Sequence, residues 1–194
     1  MARACLHSGQ RGKVLAALSN AIYLLTDTNE LFWIVPDNAP RHRRSLKISS
    51  PLSGPKAGSP FNVEDHRLTI DPGFFYDMDK ASLWHAPQIS RKNTAEITDH
   101  AISLEPYRTR THLISFTLLK DLASGYAIAP LHRILNRLLS GESLESIYPS
   151  VSQLTQVGHS TGWDWLAGLL TGLLITYRSN YLTSSFQTIQ SVEA

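Results

Sequence analysis

The sequence predicts an α+β protein, a β-rich first half packed with a helical second half, on three observations. Residues 13–36 and 61–70 form short runs rich in branched and aromatic residues, separated by turn residues. Beyond Arg91 the apolar residues recur at helical spacing instead. No alternating strand–helix–strand pattern, the mark of a parallel sheet, is present. At 194 residues the simplest organisation is one domain over 1–194, mainly β over 1–88 and mainly α over 89–194.

Taken in order, VLAALS, AIYLLTD and LFWIVPD read as three strands, the last two forming a hairpin across Asp27, Thr28, Asn29 and Glu30. The third ends at Pro36 and Pro40, because proline cannot donate to a ladder. SLKIS reads as one more short strand, and SSPLSGPKAGSP as a surface loop. FNVEDHRLTI reads as strand, turn, strand, and ASLWHAP as a last β-like piece, with Asp71, Pro72 and Gly73 between them. A helix is expected from Asn93 or Thr94 to about Leu104. A second follows in THLISFTLLKDLAS, with Leu113, Phe116, Leu119 and Leu122 as its apolar stripe and Gly125 as its end. Pro130 opens a third, whose buried face is Leu131, Ile134, Leu135, Leu138 and Leu139 and whose stop is Gly141. Residues 142–156 suit a weaker helix interrupted near Pro149.

Residues 157–177, VGHSTGWDWLAGLLTGLLITY, form the most apolar segment, preceded by a small polar loop. Ser160 or Thr161 can cap a helix, and Asp164 follows Thr161 at capping-box spacing. The expectation is a glycine-rich loop leading into a buried helix. The first amides of such a helix lack internal partners and lie at the positive end of its dipole, so the backbone from Gly158 through Ser160, Thr161, Gly162 and Trp163 is a candidate site for a phosphate or carboxylate. The competing reading is a loop that only caps a core helix.

Composition narrows the function classes. A net charge of +2 and 18% charged residues do not suit a nucleic-acid binder, and the dense basic cluster Arg41, His42, Arg43 and Arg44 suits a solvated turn or edge strand better than an anion patch. The single cysteine, Cys5, can form no internal disulfide, which fits the cytoplasm. No two of the eight histidines stand at close metal-ligand spacing, so no metal and no cofactor is expected. The run from Trp165 to Tyr177 is too short to span a bilayer. Gly158, His159, Ser160, Thr161 and Gly162 also fit the G-x-S-x-G pattern of a serine hydrolase, but no histidine follows Ser160 and no apolar strand precedes it.

The stretch HSTGWDWLAGLL resembles the G-L-T-P-S-G-D-D-F-L-A-G loop of the third-subunit family of oxamate carbamoyltransferase, with Gly162, Asp164, Leu166, Ala167 and Gly168 holding the pattern. The order of AIYLL, LFWIVPDNAP, GSPFNVEDHRLTI and ASLWHAP is similar as well. His159 stands where that motif has threonine, Ser160 where it has proline, and Trp163 where it has the first of two aspartates. The resemblance implies a subunit that takes part in carbamoyl or related group transfer, with other protein subunits or further copies of itself as partners and a small anionic substrate. In that setting Asp164 and His159 are the candidate catalytic residues. Asp164 can orient an amine or take a proton, and His159 can donate to an oxyanion. Their bland alternatives are a capping carboxylate and an exposed loop histidine. A non-catalytic ligand-binding or assembly subunit is the alternative function.

Overall fold

In the computed structural model, residues 6–79, 81, 82, 84–86, 104–158 and 160–190 are described, with side chains up to Tyr177. They fall into two compact units, the first drawn from Met1–Ala86 and Ser103–Ile128, the second from Pro87–Ile102 and Ala129–Ala194.

The first unit is built on a seven-stranded sheet: β1 Arg11–Ala17, β2 Ile22–Thr26, β3 Leu31–Pro36, β4 Ser45–Ile48, β5 Pro60–Glu64, β6 Arg67–Ile70 and β7 Phe74–Asp77, in the order β4-β3-β2-β1-β5-β6-β7. All neighbours are antiparallel except β3 and β4. The β2–β3 hairpin forms where expected. The Thr26 Oγ1 accepts from the Glu30 amide at 2.9 Å and Asn29 takes φ +63°, a conformation its short polar side chain tolerates. The β5–β6 turn places Asp65 at φ +44° and His66 at φ +61°, the pair of positive values that a tight two-residue hairpin requires.

One difference lies at the end of the sheet. The last strand is Phe74–Asp77, not ASLWHAP, whose described residues are not strand. Phe74 and Tyr76 pack on the core while Phe75 is exposed, so the alternation that makes the strand is present but hidden among aromatics.

β3 is apolar on both faces. Phe32 and Ile34 join Val14, Leu24, Phe61, Val63 and Leu68 in the main core, where Phe32 meets the Phe61 ring edge-on at 5.6 Å. Leu31, Trp33 and Val35 face the other way, with Tyr23, Ile114 and Leu118 packed against them. Ile114 and Leu118 belong to α1, Leu113–Ala123, which follows a 3-10 turn at Glu105–Arg110. Phe116 and Asp121 are buried on this helix, Phe116 as expected, and Ile114 and Leu118 pack against β3. Leu113 and Leu119 are exposed, because strict three-residue steps wind around a helix rather than along it.

Burial pushes the Tyr23 and Tyr76 phenols above the ordinary tyrosine range. A raised folded-state pKa gives stability that is complete below the unfolded value and is lost as pH rises through the folded one. Moving from about pH 8 to about pH 11 is therefore expected to lower the urea midpoint of this unit, and Tyr23→Phe to shrink that drop. An equal drop in the variant would remove Tyr23 from the account.

The second unit contains α2 Ala129–Leu139, α3 Leu144–Thr155 and α4 Thr161–Gln190. Leu131 and Ile134 are buried on α2, and Leu135, Leu138 and Leu139 are half-buried, as the spacing predicts. Pro149 does not interrupt α3, which runs through it as one helix. The helix expected over 93–104 lies almost wholly outside the described residues. α4 forms, but the expectation of a buried helix needs correction: Trp163, Leu170, Leu174, Ile175 and Tyr177 are exposed. No helix among the described residues is long and apolar enough to cross a membrane.

Candidate functional site

The loop between α3 and α4 is fixed by close backbone approach. The Val157 amide donates to the Leu154 carbonyl at 3.0 Å, and Gly158 then turns with φ +64°. Thr161 starts α4, whose first regular bond runs from the Asp164 amide to the Ser160 carbonyl at 3.0 Å. Gly162 is buried, and a Cβ there would run into the Leu154 carbonyl and the backbone of Thr155. Its amide donates to the Val157 carbonyl at 3.0 Å. Glycine at 162 thus lets the first turn of α4 rest on the last turn of α3, and one of the early amides is used within the protein.

Of the residues expected to act here, Ser160, Trp163 and Asp164 are exposed, Thr161 is half-buried and Gly162 is buried. His159 lies outside the described residues. No hydrogen bond to the Asp164 carboxylate forms among the described residues, so its expected capping-box contact is not among them. The hydrolase alternative loses its geometry, because Ser160 sits between two helices and not on the strand-to-helix turn that a nucleophile elbow needs.

A second concentration of chemistry lies in the first unit, at the basic cluster. The expected solvated turn is not what forms: His42 and Arg44 are buried, Arg43 is largely so and only Arg41 is exposed. They are held by Asp121, a carboxylate on the inward face of α1 that is itself only 2% exposed. Arg44 grips it with two bonds, Nε to Oδ2 at 2.5 Å and Nη2 to Oδ1 at 3.0 Å. Arg44 also donates to Glu30 at 3.1 Å and to the Leu31 carbonyl at 3.0 Å. Burial by itself lowers the Arg44 pKa, but the bonds and charges of Asp121 and Glu30 outweigh it and the net shift is upward. The His42 ring stacks on Trp33 at 4.8 Å and its Nδ1 accepts from the Arg44 amide. A neutral His42 therefore carries its proton on Nε2, the atom 3.8 Å from Asp121.

Arg43 takes a different part. Its guanidinium lies over the Tyr126 ring at 3.7 Å, and its Nε is 3.6 Å from the Asp121 Oδ1. Beside this cluster opens a cavity of 450 Å³, lined by Arg41, Arg43, Lys47, His66, Asp37 and Asp79 among others. Asp121, His66 and Asp79 were not legible as site residues. The one available signal is a carboxylate in the apolar run LISFTLLKDLA, seven residues after Ile114 and so on the same helix face. Among the described residues no group of three or more His, Cys, Asp or Glu gathers as metal ligands.

A family model described as oxamate carbamoyltransferase subunit AllH matches residues 80–173, just under half of the chain. No curated protein and no solved structure matches the sequence. The matched segment contains α1 to α3, the loop and the first part of α4, and it leaves out the sheet and most of the basic cavity.

Proposed function

We propose, from the match of residues 80–173 to the family model described as oxamate carbamoyltransferase subunit AllH, that the chain is one subunit of a multi-chain carbamoyltransferase acting in the cytoplasm. The observation that carries this reading is the outer face of α4. Trp163, Leu170, Leu174 and Tyr177 are 58%, 42%, 63% and 70% exposed. Their spacing of seven, four and three residues puts them within one narrow stripe, since each residue advances about 100° around a helix. An apolar stripe with this period matches the seam by which helices of different chains associate. Its occupant in this reading is another subunit of the enzyme.

The loop at residues 158–164 is the proposed anion site of that subunit. α4 is thirty residues long and opens there, so its dipole favours a carboxylate or phosphate at the N-terminus. Gly158, Ser160, Thr161, Gly162 and Trp163 supply backbone and wall, Asp164 orients or deprotonates the amine that receives the carbamoyl group, and His159 is assigned the role of a donor to an oxyanion.

Two variants test the reading. Leu170→Glu with Leu174→Glu is expected to leave the chain folded and to abolish its co-purification with the other chains of an oxamate carbamoyltransferase. Asp164→Asn in the assembled enzyme is expected to lower carbamoyl transfer at least about tenfold without changing assembly. Unchanged turnover with Asp164→Asn would leave an assembly subunit, the second reading, which the α4 stripe also favours. Intact assembly with the charged stripe would refute the docking role.

A further inference from the structure

The turn that carries the basic cluster has a property separate from the loop and from the α4 face. His42 is only 3% exposed, and its Nδ1 accepts from the amide of Arg44, two residues on, at 3.2 Å. An asparagine or aspartate side chain makes this same bond when it fixes a turn, but here the acceptor is a ring that takes a proton. The ring lies on the indole of Trp33 in β3 with 26° between the planes. The His42 amide donates to the Ser45 Oγ at 3.0 Å, so backbone and ring both hold the turn.

The charges around the ring leave no room for another cation. From α1, Asp121 lies 3.8 Å from the His42 Nε2, but Arg44 donates to both of its oxygens and Arg43 stands at 3.6 Å from it. One buried carboxylate thus already serves two guanidiniums. The next, Glu30 of the β2–β3 turn, is half-exposed and pairs with Arg44. The cavity that His42 borders sets Arg41, Lys47 and His66 against Asp37 and Asp79, which adds no surplus of negative charge. A second proton on the ring would turn Nδ1 into a donor facing the Arg44 N–H, and would place a further positive charge away from water. We infer that His42 is an acid-sensitive latch: neutral, it holds the Arg41–Arg44 turn against β3 and so keeps Arg44 on Asp121 of α1, and its protonation releases both. Release uncovers Leu31, Trp33 and Val35 and leaves the main core, on the opposite face of β3, intact. The closed state resists a proton that the opened state takes at about pH 6.5, so closure is unaffected above that pH and weakens as pH falls below it.

Amide hydrogen exchange of the full chain at about pH 7.5 and about pH 5.5, corrected for the intrinsic rate at each, tests this. Peptides from β3 and α1 are expected to lose protection about tenfold at the lower pH, which lies one unit below the value for a free histidine. Peptides from β5 and β6 are expected to keep theirs. His42→Asn, whose side-chain oxygen accepts the same Arg44 amide without titrating, is expected to show equal protection at both pH values. Arg43→Gln removes one of the two guanidiniums that share Asp121, and is expected to move the opening to lower pH. Wild-type protection of β3 and α1 that stays constant across this range would overturn the latch, as would a loss of the same size in His42→Asn. If His42→Asn does not fold, Arg43→Gln decides, and an opening at the wild-type pH would overturn it.

Discussion

Asp121→Ala is expected to cost the first unit about 3–5 kcal/mol, the largest loss from any single side chain there, because it leaves a buried arginine without its counter-charge. Arg44 would lose two bonds to that carboxylate and keep Glu30, which is half-exposed, and the Leu31 carbonyl. Arg43 and His42, at 3.6 and 3.8 Å from the same carboxylate, would lose it as well. Chemical unfolding followed by the fluorescence of Trp33, which stacks on His42, reads the effect directly. The double variant Arg44→Met with Asp121→Leu is expected to recover most of the loss, since a desolvated ion pair gives back little more than it cost to bury. If the single variant unfolds at the wild-type midpoint, the cluster does not hold α1 to the sheet.

Gly162→Val is expected to be the most damaging change in the second unit. Its first side-chain carbon would occupy the space of the Leu154 carbonyl, and no flexible atom stands there to yield. Overpacking of this kind costs about 1–3 kcal/mol where neighbours can shift, and more where the obstacle is backbone. The end of α3 and the start of α4 must then separate, breaking the Gly162–Val157 bond. A lower thermal midpoint together with rapid proteolysis inside α4 would record this. A variant as stable as the wild type would mean that the two helix ends are not tightly apposed.

Much of the fold is legible in the sequence because local rules and tertiary packing agree. The turn residues between β2 and β3, the proline opening of α2 and Gly141 after it act through the backbone alone, and each marks its element correctly. The misreadings share one cause, the dependence of burial on distant partners. Arg44 looks like a surface residue until Asp121, far along the chain, is brought to it. α4 looks like a core helix because its apolar residues exceed what this chain covers, so the same residues that suggest burial form an exposed stripe instead. Pro149 is compatible with a continuous α3, and its exposure shows that the helix carries it on the solvent side. For the candidate site, the loop was visible as a motif. The cavity was not, because its lining comes from several separate stretches, none with a pattern of its own.

The two-sided burial of β3 also sets an order of events during synthesis. Phe32 and Ile34 find their partners within the sheet, but Leu31, Trp33 and Val35 wait for Ile114 and Leu118, which leave the ribosome about 85 residues after Trp33. At elongation rates of about 5–20 residues per second that interval is roughly 4 to 17 s, during which a strand of leucine, tryptophan and valine has one face uncovered. The nascent sheet is therefore sticky on that side until α1 arrives, and a chaperone that shields apolar strands would have its greatest effect in this window.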